Sequence, residues 1–400
     1  MKKIGFFVSH PIQYLSPLLR RIAAEPGIDL RVYYFSDQSV MKMEDKGFGR
    51  EIEWDVDLLS GYKYSFLRNV SPAPSIFRPG TGLINQGIFG VMKREKFDAV
   101  IVHGWHYISN ILVMLAAWLT RTPYFIRSEM PLNQELRKPF WKRTLKRMCL
   151  APIFAGAKGF IAIGTQNAQF YRHYGVPEDK IFLTPYAVDN ERYFSAYRCA
   201  RERAVSLRRE FGLADSDVVV LFSGKLIEKK RPEDLLKAYE LLDPGNKALV
   251  FLGDGKLRSV LEEYVRTKQL EKVVFAGFRN QTELPAFYAM SDVFVLPSGD
   301  GETWGLVVNE AMCFSLPVII SDVPGAGHDL VKPGLNGYIY KKGDVVQLSG
   351  MMERLISDHE LRKAMGAASR SIVEKWDYSA DVEGVKRALR NIREKVGERI

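Results

Sequence analysis

The chain has 400 residues, of which 46% are hydrophobic and 26% charged, the composition of a soluble globular protein with two or three domains. Lysine and arginine number 57 against 47 aspartates and glutamates, and the net charge of +10 favours anionic ligands or an anionic membrane surface. No RNA motif, zinc spacing or recognition helix stands in a supporting context, which argues against a nucleic-acid partner. The three cysteines are too scattered for a disulfide framework or a metal site and indicate a reducing, cytoplasmic compartment.

Two apolar runs bear on targeting. The run at residues 4–8 is too short for a signal peptide. The longest run, at residues 108–120, is shorter than a membrane-spanning helix. We therefore expect no transmembrane segment.

Short apolar strands alternate with amphipathic helices through the first half of the chain. This alternation predicts βαβ units around a parallel sheet. No Gly-x-Gly-x-x-Gly follows the first strand, so a nicotinamide or flavin site is not expected. Strands are predicted at residues 4–8, 30–34, 97–103, 123–126, 159–163 and 181–184, and helices at 14–24, 108–119 and 167–174.

Polar side chains follow three of these strands, at the edge where open α/β sheets bind ligands. His10 follows the first strand and reads either as a ligand contact or as a helix cap. His103 and Trp105 follow another, where sugar binding and core packing both fit. Arg127 and Glu129 follow the next, and a ligand contact and a structural salt bridge fit them equally. The spacing of His103 and His106 suggests a metal, but two ligands on a turn without a third make a poor zinc site.

A basic and aromatic segment covers residues 134–150. Phe140, Trp141, Leu145 and Met148 recur at helical spacing, and six cations lie between them and around them. Such a helix suits an anionic membrane interface, and an ordinary surface helix has the same pattern. If the segment does bind a membrane, residues 137–150 are the ones expected to contact it.

The charged stretch 189–216 reads as a connection, after which the alternation restarts. A strand at 218–223 leads into Gly224, Lys225 and Lys230 and a helix at 233–242. The Gly-x-Gly at 325–327 reads as a turn at a strand end. Further strands are predicted at residues 248–253, 272–277, 292–297 and 316–322, and further helices at 256–268, 306–314, 345–356, 361–375 and 379–395.

The most informative stretch is Ser298 to Phe314, a Gly-rich loop between a strand and a helix. The first N–H groups of this helix lack partners within it, so Gly305, Leu306 and Val307 offer donors to an anion such as phosphate. Glu302 and Glu310 frame that point. Carboxylates beside a phosphate make sense as acceptors for hydroxyls, and a diphosphate flanked by diols describes a nucleotide sugar.

The segments around Ser298 to Phe314 and Gly224 to Lys230 closely resemble the retaining glycosyltransferases of family four. The resemblance implies the GT-B fold, in which two Rossmann-like α/β domains face each other across a cleft and the C-terminal helix crosses back onto the first domain. We expect an acceptor-binding domain at residues 1–195, a nucleotide-sugar-binding domain at 196–375 and the crossing helix at 376–400.

The same resemblance assigns roles in the second domain. It implies that Glu302 binds the hydroxyls of the donor sugar and Glu310 the ribose, and that Lys225 and Lys230 bind the diphosphate, where cations must neutralise the leaving group. The remaining donor contacts implied are Gly224, Phe278, Arg279, Thr303, Trp304, Gly305, Leu306 and Val307. Candidate acceptor contacts are His10, His103, Trp105, Arg127 and Glu129.

The expected activity is retaining transfer of a sugar from a nucleotide sugar, with uridine diphosphate as carrier, to a glycan or lipid-linked acceptor in cell-surface polysaccharide synthesis. No metal or other cofactor is expected, and the expected location is cytoplasmic, peripheral to the membrane. A nucleotide-sugar epimerase of the same fold and a non-catalytic binding subunit are the alternatives. A GT-A enzyme would need a metal-binding acidic motif, and Asp55-Val-Asp57 lies far from any phosphate-binding loop.

Overall fold

The computed structural model describes residues 1–40, 43–45, 47–390 and 392, which form two compact α/β units. The first unit consists of Met1–Met43, Val56–Tyr186 and Tyr378–Ile400, and the second of Glu44–Asp55 and Ala187–Asp377. The first domain therefore ends nine residues earlier than the predicted residue 195, and the second takes in a short segment from the first half of the chain. Residues 393–400, part of the predicted third segment, lie outside the described residues.

Strands and helices alternate in both units. The strands are β1 (Lys2–Val8), β2 (Ile28–Tyr34), β3 (Met43–Asp45), β4 (Arg50–Ile52), β5 (Lys63–Phe66), β6 (Ala99–His103), β7 (Tyr124–Ser128), β8 (Gly159–Ala162), β9 (Ile181–Leu183), β10 (Val218–Ser223), β11 (Lys247–Leu252), β12 (Val273–Gly277), β13 (Val293–Leu296), β14 (Val318–Ser321) and β15 (Gly337–Tyr340). The helices are α1 (Ser16–Ala24), α2 (Ile88–Glu95), α3 (Ile108–Leu119), α4 (Leu132–Leu136), α5 (Phe140–Gly156), α6 (Thr165–His173), α7 (Asn190–Glu210), α8 (Pro232–Glu240), α9 (Arg258–Lys268), α10 (Leu284–Ala289), α11 (Val307–Cys313), α12 (Gly325–Leu330), α13 (Val345–Ser357), α14 (His359–Val373) and α15 (Tyr378–Arg390).

The first unit is built on a seven-stranded parallel sheet with the order β5-β2-β1-β6-β7-β8-β9. Its central strands read as continuous apolar runs because helices cover both faces of such a sheet, and β6 and β7 are buried except at His103. The chain leaves β1 towards β2 and returns beside β1 as β6. Their carboxyl ends therefore form the switch point where sheets of this class bind ligands.

The second unit repeats this arrangement. Its six parallel strands have the order β12-β11-β10-β13-β14-β15, so the switch point lies between β10 and β13. The loop after β10 carries Gly224 to Lys230, and the loop after β13 carries Ser298 to Leu306. Strand order alone brings the two predicted donor motifs to one place.

The helix α15 belongs to the first unit, where it packs on α1, β8 and β9. Its buried residues Tyr378, Val382, Val385 and Leu389 recur at helical spacing, which explains why this face docks on a sheet. A hydrogen bond also holds this helix in place: the Tyr378 hydroxyl donates to the backbone carbonyl of Tyr14 at 2.8 Å.

Several predicted elements differ in the structure. The predicted connection 189–216 is largely the 21-residue helix α7, capped by the Asp189 carboxylate on the Arg192 amide. The predicted turn at 325–327 opens the helix α12. The basic segment 134–150 is divided between α4 and α5, because the backbone at Pro139, with ψ 144°, is extended and not helical.

Candidate active site

The loop between β13 and α11 turns on a glycine. Gly305 has φ +93°, and a Cβ there would lie 2.6 Å from Cδ2 of Leu296, so both conformation and space require glycine. The helix α11 begins at Val307 with Leu306 as its N-cap residue. The structure thus places the predicted amides of Gly305, Leu306 and Val307 at the start of a helix.

Lys230 and Glu302 meet at the switch point of the second unit. The Lys230 ammonium pairs with Oε2 of Glu302, and Lys229 lies 4.0 Å from the same atom. The two loops are also joined directly, because the Gly299 amide donates to the Lys229 carbonyl at 2.7 Å. Burial alone would raise the pKa of Glu302, but the charges of Lys230 and Lys229 outweigh it and lower the pKa.

Lys225 has a partner that the sequence interpretation did not include. Its Nζ lies 2.8 Å from both carboxylate oxygens of Asp45. Gly224, just before it, has φ +148°, which turns the chain out of β10. The structure therefore brings Lys225 to the end of β10 as predicted and pairs it with a carboxylate from the segment Glu44–Asp55.

Glu310 is buried on α11. Its Oε2 accepts a hydrogen bond of 2.6 Å from the Tyr288 hydroxyl, and Tyr193 also lies within reach. Burial raises the pKa of Glu310, with the tyrosine hydroxyls and the Arg192 charge acting in the opposite direction. Tyr288 lies in the apolar helix α10, where the sequence offered no signal for a polar role.

Thr303 and Trp304 contribute through the backbone. Their carbonyls accept from the amides of Gly325 and Ala326 at 3.2 and 3.1 Å, which fixes the loop to the start of α12. The Trp304 indole is buried, donates to Oδ1 of Asn309 at 2.9 Å and stacks on Trp376 at 5.7 Å. The Trp304 ring and N–H thus contact other parts of the protein, and donor binding by Trp304 stays a prediction.

Phe278 and Arg279, the two predicted contacts to the nucleobase, have different surroundings in the structure. Phe278 packs edge to face with Phe48 at 5.0 Å, again a residue of the segment Glu44–Asp55. The Arg279 guanidinium has other partners. It pairs with the Glu283 carboxylate at 3.2 Å and lies over the Phe287 ring. The Arg279 side chain thus contacts Glu283 and α10, and the base contact of this loop stays a prediction.

In the first unit, predicted residues gather at the carboxyl ends of β6 and β7. Arg127 NH1 lies 3.3 Å from Nδ1 of His103, and Nε2 of His103 lies 3.6 Å from Oε1 of Glu129. Because arginine can only donate, Nδ1 of His103 accepts, and the neutral ring carries its proton on Nε2, towards Glu129. Burial lowers the pKa of His103, which keeps the ring neutral at neutral pH.

Glu129 is the anion of this group. The Tyr186 hydroxyl donates to its Oε1 at 2.6 Å. Burial alone would raise the pKa of Glu129, but His103, Tyr186 and the Arg127 charge lower it to about 2. His10 lies at the end of β1, its Nδ1 is 2.9 Å from the Ser9 hydroxyl, and burial together with His103 lowers its pKa to about 4.

Trp105 does not join this polar group. Its ring stacks on His106 at 5.6 Å and on Phe170 at 5.9 Å. These contacts fit the core-packing alternative for Trp105, which packs partly buried against the core of the first unit, and sugar stacking stays a prediction.

One residue that contacts this group was not predicted from the sequence. Asp381 of α15 lies 3.7 Å from NH2 of Arg127, and both side chains are fully buried. Burial raises the pKa of Asp381 to about 7, against the charge of Arg127. The sequence feature that could have indicated this role is that Asp381 lies on the apolar face of its helix, with Tyr378 and Val385.

Within the described residues, no cluster of three His, Cys, Asp or Glu side chains has metal-binding geometry. The second unit instead holds Lys225, Lys229 and Lys230 beside a helix start and two buried glutamates. That set can bind an anionic group through fixed ammonium charges and amides, and hydroxyls through carboxylates. The first unit offers neutral imidazoles and a carboxylate that accept or donate hydrogen bonds to hydroxyls.

Two domain families match the chain. Residues 206–372 match the family described as glycosyl transferases group 1, and residues 65–187 match the glycosyl transferase 4-like domain. The two matches fall in the second and the first unit respectively and together account for most of the chain.

Curated relatives carry related names. A sulfoquinovosyl transferase of Arabidopsis thaliana is 32% identical over 254 residues, covering 61% of this chain and 46% of the relative. An uncharacterized glycosyltransferase of Methanocaldococcus jannaschii is 30% identical over 209 residues, 51% of this chain and 52% of the relative. The chain thus spans about half the length of these relatives.

Solved structures of low identity share the fold. HepE of Anabaena in complex with UDP superposes with a TM-score of 0.75 at 20% identity, covering 98% of this chain and 100% of that structure. WaaG, a glycosyltransferase involved in lipopolysaccharide biosynthesis, gives 0.64 at 18% identity over 98% and 100% of the two chains. These neighbours and the two parallel sheets show a GT-B fold with two Rossmann-like domains.

Proposed function

We propose that this chain, which belongs to the GT-B glycosyltransferases of the family-four type, transfers a sugar from a nucleotide sugar to a hydroxyl of a glycan or lipid-linked acceptor. The observation that carries the proposal is the group at the switch point of the second unit. The Lys230 ammonium pairs with Glu302, Lys225 follows β10 in the loop, and Glu310 is buried on α11. The second unit binds the donor in this proposal, and the first unit binds the acceptor.

Charge determines the chemistry that this group supports. Departure of a nucleoside diphosphate develops negative charge, and preorganised cations that stabilise it contribute a large part of catalysis. With Lys225 and Lys230 as those cations, the reaction needs no metal. Retention follows if the leaving phosphate oxygen deprotonates the acceptor on the same face, a mechanism taken from the family.

We propose a UDP-sugar as the donor. Support comes from similar structures whose printed descriptions include UDP and UDP-glucose. One curated relative, from Corynebacterium glutamicum, is named as GDP-mannose-dependent, so guanine is the competing base. Calorimetry with both diphosphates decides: tighter binding of GDP than of UDP overturns the choice.

The proposed acceptor is lipid-linked and belongs to cell-surface polysaccharide synthesis, with the protein peripheral on a membrane from the cytoplasmic side. Large apolar side chains are exposed on α3 and α5, among them Trp118 at 68% and Trp141 at 63%. Both helices flank a cavity of about 650 Å³. Apolar side chains edged with cations suit an anionic lipid interface. Among the described residues, no helix is long and apolar enough to cross a membrane.

Transfer of a labelled sugar tests the activity. Purified protein, a panel of nucleotide sugars and membrane lipid extract are expected to yield labelled acceptor. Lys230→Ala is expected to lower kcat by about 10²–10³-fold, the scale of losing one preorganised electrostatic donor. Lys256→Ala is the matched control, because Lys256 pairs with the exposed Glu228 in the region of the same loop.

Two outcomes contradict the proposal. A donor converted to an isomeric nucleotide sugar without acceptor identifies an epimerase. Donor binding with neither transfer nor hydrolysis across the panel identifies a non-catalytic subunit.

A further inference from the structure

A segment from the first half of the chain forms part of the second unit. Residues Glu44–Asp55 are here termed the arm. In the sequence they lie between two segments of the first unit. The arm carries the end of the short strand β3 and all of β4, which pair with each other. It is joined to the loop after β12, where Nδ2 of Asn280 donates to the Glu53 carbonyl at 2.7 Å and the Thr282 amide donates to Asp55 at 3.1 Å.

At its other end the arm encloses the Lys225 side chain. Both carboxylate oxygens of Asp45 lie 2.8 Å from Nζ, and Nζ lies 4.8 Å from the centre of the Phe48 ring. The Gly47 backbone approaches so closely that a Cβ there would lie 2.6 Å from Cδ of Lys225. Ion pair, ring and backbone together hold the ammonium group.

The Asp45 carboxylate is itself fixed. Its Oδ1 accepts from the amides of Gly47 and Phe48 at 2.8 and 3.2 Å, which is a side-chain-to-backbone turn. The carboxylate therefore faces Lys225 as part of the local fold of the arm. This contact is preorganised, unlike a pair of flexible surface side chains.

The arm also covers Phe278. Around this ring lie Phe48 at 5.0 Å, the Arg50 guanidinium at 5.2 Å and Trp54 at 6.4 Å. The same segment thus touches the residue assigned to the diphosphate and the residue assigned to the base.

We propose that the arm covers the donor site and that Asp45 competes with the diphosphate of the donor for Lys225. This inference rests on the proposed function. A carboxylate and a diphosphate both present anionic oxygens, and the single ammonium charge of Lys225 cannot be fully paired with both. Donor binding then breaks the Asp45–Lys225 pair and releases the arm, and the affinity is lower by the stability of that pair.

Calorimetric titration with UDP tests the competition. Asp45→Asn removes the charge and retains a side-chain oxygen for the amides of Gly47 and Phe48. We expect it to lower the Kd for UDP about two- to fivefold, the range that a partly exposed ion pair supports. Glu51→Gln is the control, since it removes one exposed carboxylate charge from the same arm and is expected to leave the Kd within experimental error.

Hydrogen exchange of the arm amides gives an independent measurement. We expect UDP to accelerate exchange at residues 44–55 in the parent protein. In Asp45→Asn the exchange is expected to be already fast without UDP.

The outcomes separate this inference from the function it rests on. If the parent binds UDP or GDP and Asp45→Asn binds it with the same Kd, or if Glu51→Gln gives an equal gain, the competition is refuted while the donor site stands. Unchanged arm exchange on binding refutes the release of the arm. If neither protein binds any nucleoside diphosphate, the proposed function fails and takes this inference with it.

Discussion

At the scale of single residues, Glu302 and Glu310 lie in one site under opposite electrostatic conditions. Lys230 and Lys229 lower the pKa of Glu302, whereas burial raises the pKa of Glu310 against the hydrogen bond from Tyr288. Carboxylates whose pKa values are driven apart by their surroundings commonly have different roles. The assignment of Glu302 to sugar hydroxyls and Glu310 to the ribose is consistent with this difference.

Two glutamine variants distinguish these roles. Glu310→Gln is expected to weaken binding of free UDP, because the ribose loses a charged acceptor worth about 1.5–3 kcal/mol. Glu302→Gln is expected to spare free UDP and to weaken binding of the intact UDP-sugar. Calorimetry with both ligands gives the comparison, and equal effects of the two variants on free UDP would show the role assignment to be wrong.

The pH dependence of donor binding follows from Glu310. Hydroxyls donate to the ionised carboxylate, so protonation of Glu310 opposes binding, and its raised pKa moves that protonation above the pH at which an ordinary glutamate titrates. The Kd for a UDP-sugar is expected to rise with falling pH, and to do so at a higher pH than protonation of an ordinary glutamate would cause. The intact sugar donor is the proper ligand, because its diphosphate lacks the terminal phosphate proton of UDP.

In Glu310→Gln this pH dependence is expected to be absent. A parent protein whose Kd stays constant as the pH falls would contradict the role of Glu310.

At the scale of elements, a buried ion pair joins α4 to α5 and α6. Glu135 of α4 is fully buried and lies 2.8 Å from Nζ of Lys146 and 2.8 Å from the Tyr174 hydroxyl. Burial alone would raise the pKa of Glu135, but Lys146, Lys138 and Tyr174 lower it to about 2. Lys146, counted among the membrane-facing cations in the sequence, therefore faces inward.

Because of this ion pair, the free energy of unfolding is expected to depend on pH. A depressed carboxylate pKa contributes stability that is fully present above about pH 4.5 and is lost as the pH falls through about 2. Glu135→Gln is expected to lower the unfolding free energy at pH 7 by on the order of 3 kcal/mol and to make the decline between pH 4.5 and 2 shallower. Urea unfolding over that pH range measures both effects.

The exposed pair Arg172–Glu178 is the control for this measurement. Glu178→Gln is expected to leave the unfolding free energy nearly unchanged. A Glu135→Gln protein with parental stability at pH 7 would refute the contribution of the buried pair.

The outward face of α5 carries the membrane prediction. Phe140, Trp141 and Met148 are exposed, with Lys142 and Arg143 over the rings of Trp141 and Phe140. Replacing both cations by serine is expected to weaken sedimentation with anionic liposomes by about 2 kcal/mol, roughly thirtyfold, at about 1 kcal/mol per cation. UDP binding is expected to be retained.

A control variant removes two exposed cations from α7, Arg201→Ser with Arg209→Ser. If it loses sedimentation as much as the α5 variant, the effect reflects net charge alone. If the α5 variant sediments like the parent, the membrane interface is refuted.

At the scale of the whole molecule, the absence of a metal requirement is a prediction about how the negative charge of the leaving group is neutralised. In the proposed function Lys225 and Lys230 supply the cations, so a chelator is expected to leave turnover nearly intact. Activity measured with chelator, and then with added Mg²⁺ or Mn²⁺, checks this. A reaction that stops with chelator and returns with metal would overturn the charge assignment.

The sequence by itself predicted parallel α/β sheets and the placement of the predicted donor motifs, and its resemblance to family-four glycosyltransferases implied the GT-B fold. Alternating apolar strands and amphipathic helices specify parallel sheets through local periodicity, and residues that follow strands must meet at the carboxyl edge. Lys230 with Glu302, and His103 with Arg127 and Glu129, are therefore near one another as residue order implies.

Only the tertiary structure showed which of those side chains contact distant parts of the protein. Trp105, Trp304 and Arg279 follow strands as predicted, yet their rings and polar atoms are taken up by Phe170, Trp376 and Glu283. Asp45 reaches Lys225 from 180 residues away in sequence, and Asp381 reaches Arg127 from the last helix. Periodicity and strand order are local properties that a sequence displays, whereas long-range partners depend on how loops and terminal helices pack.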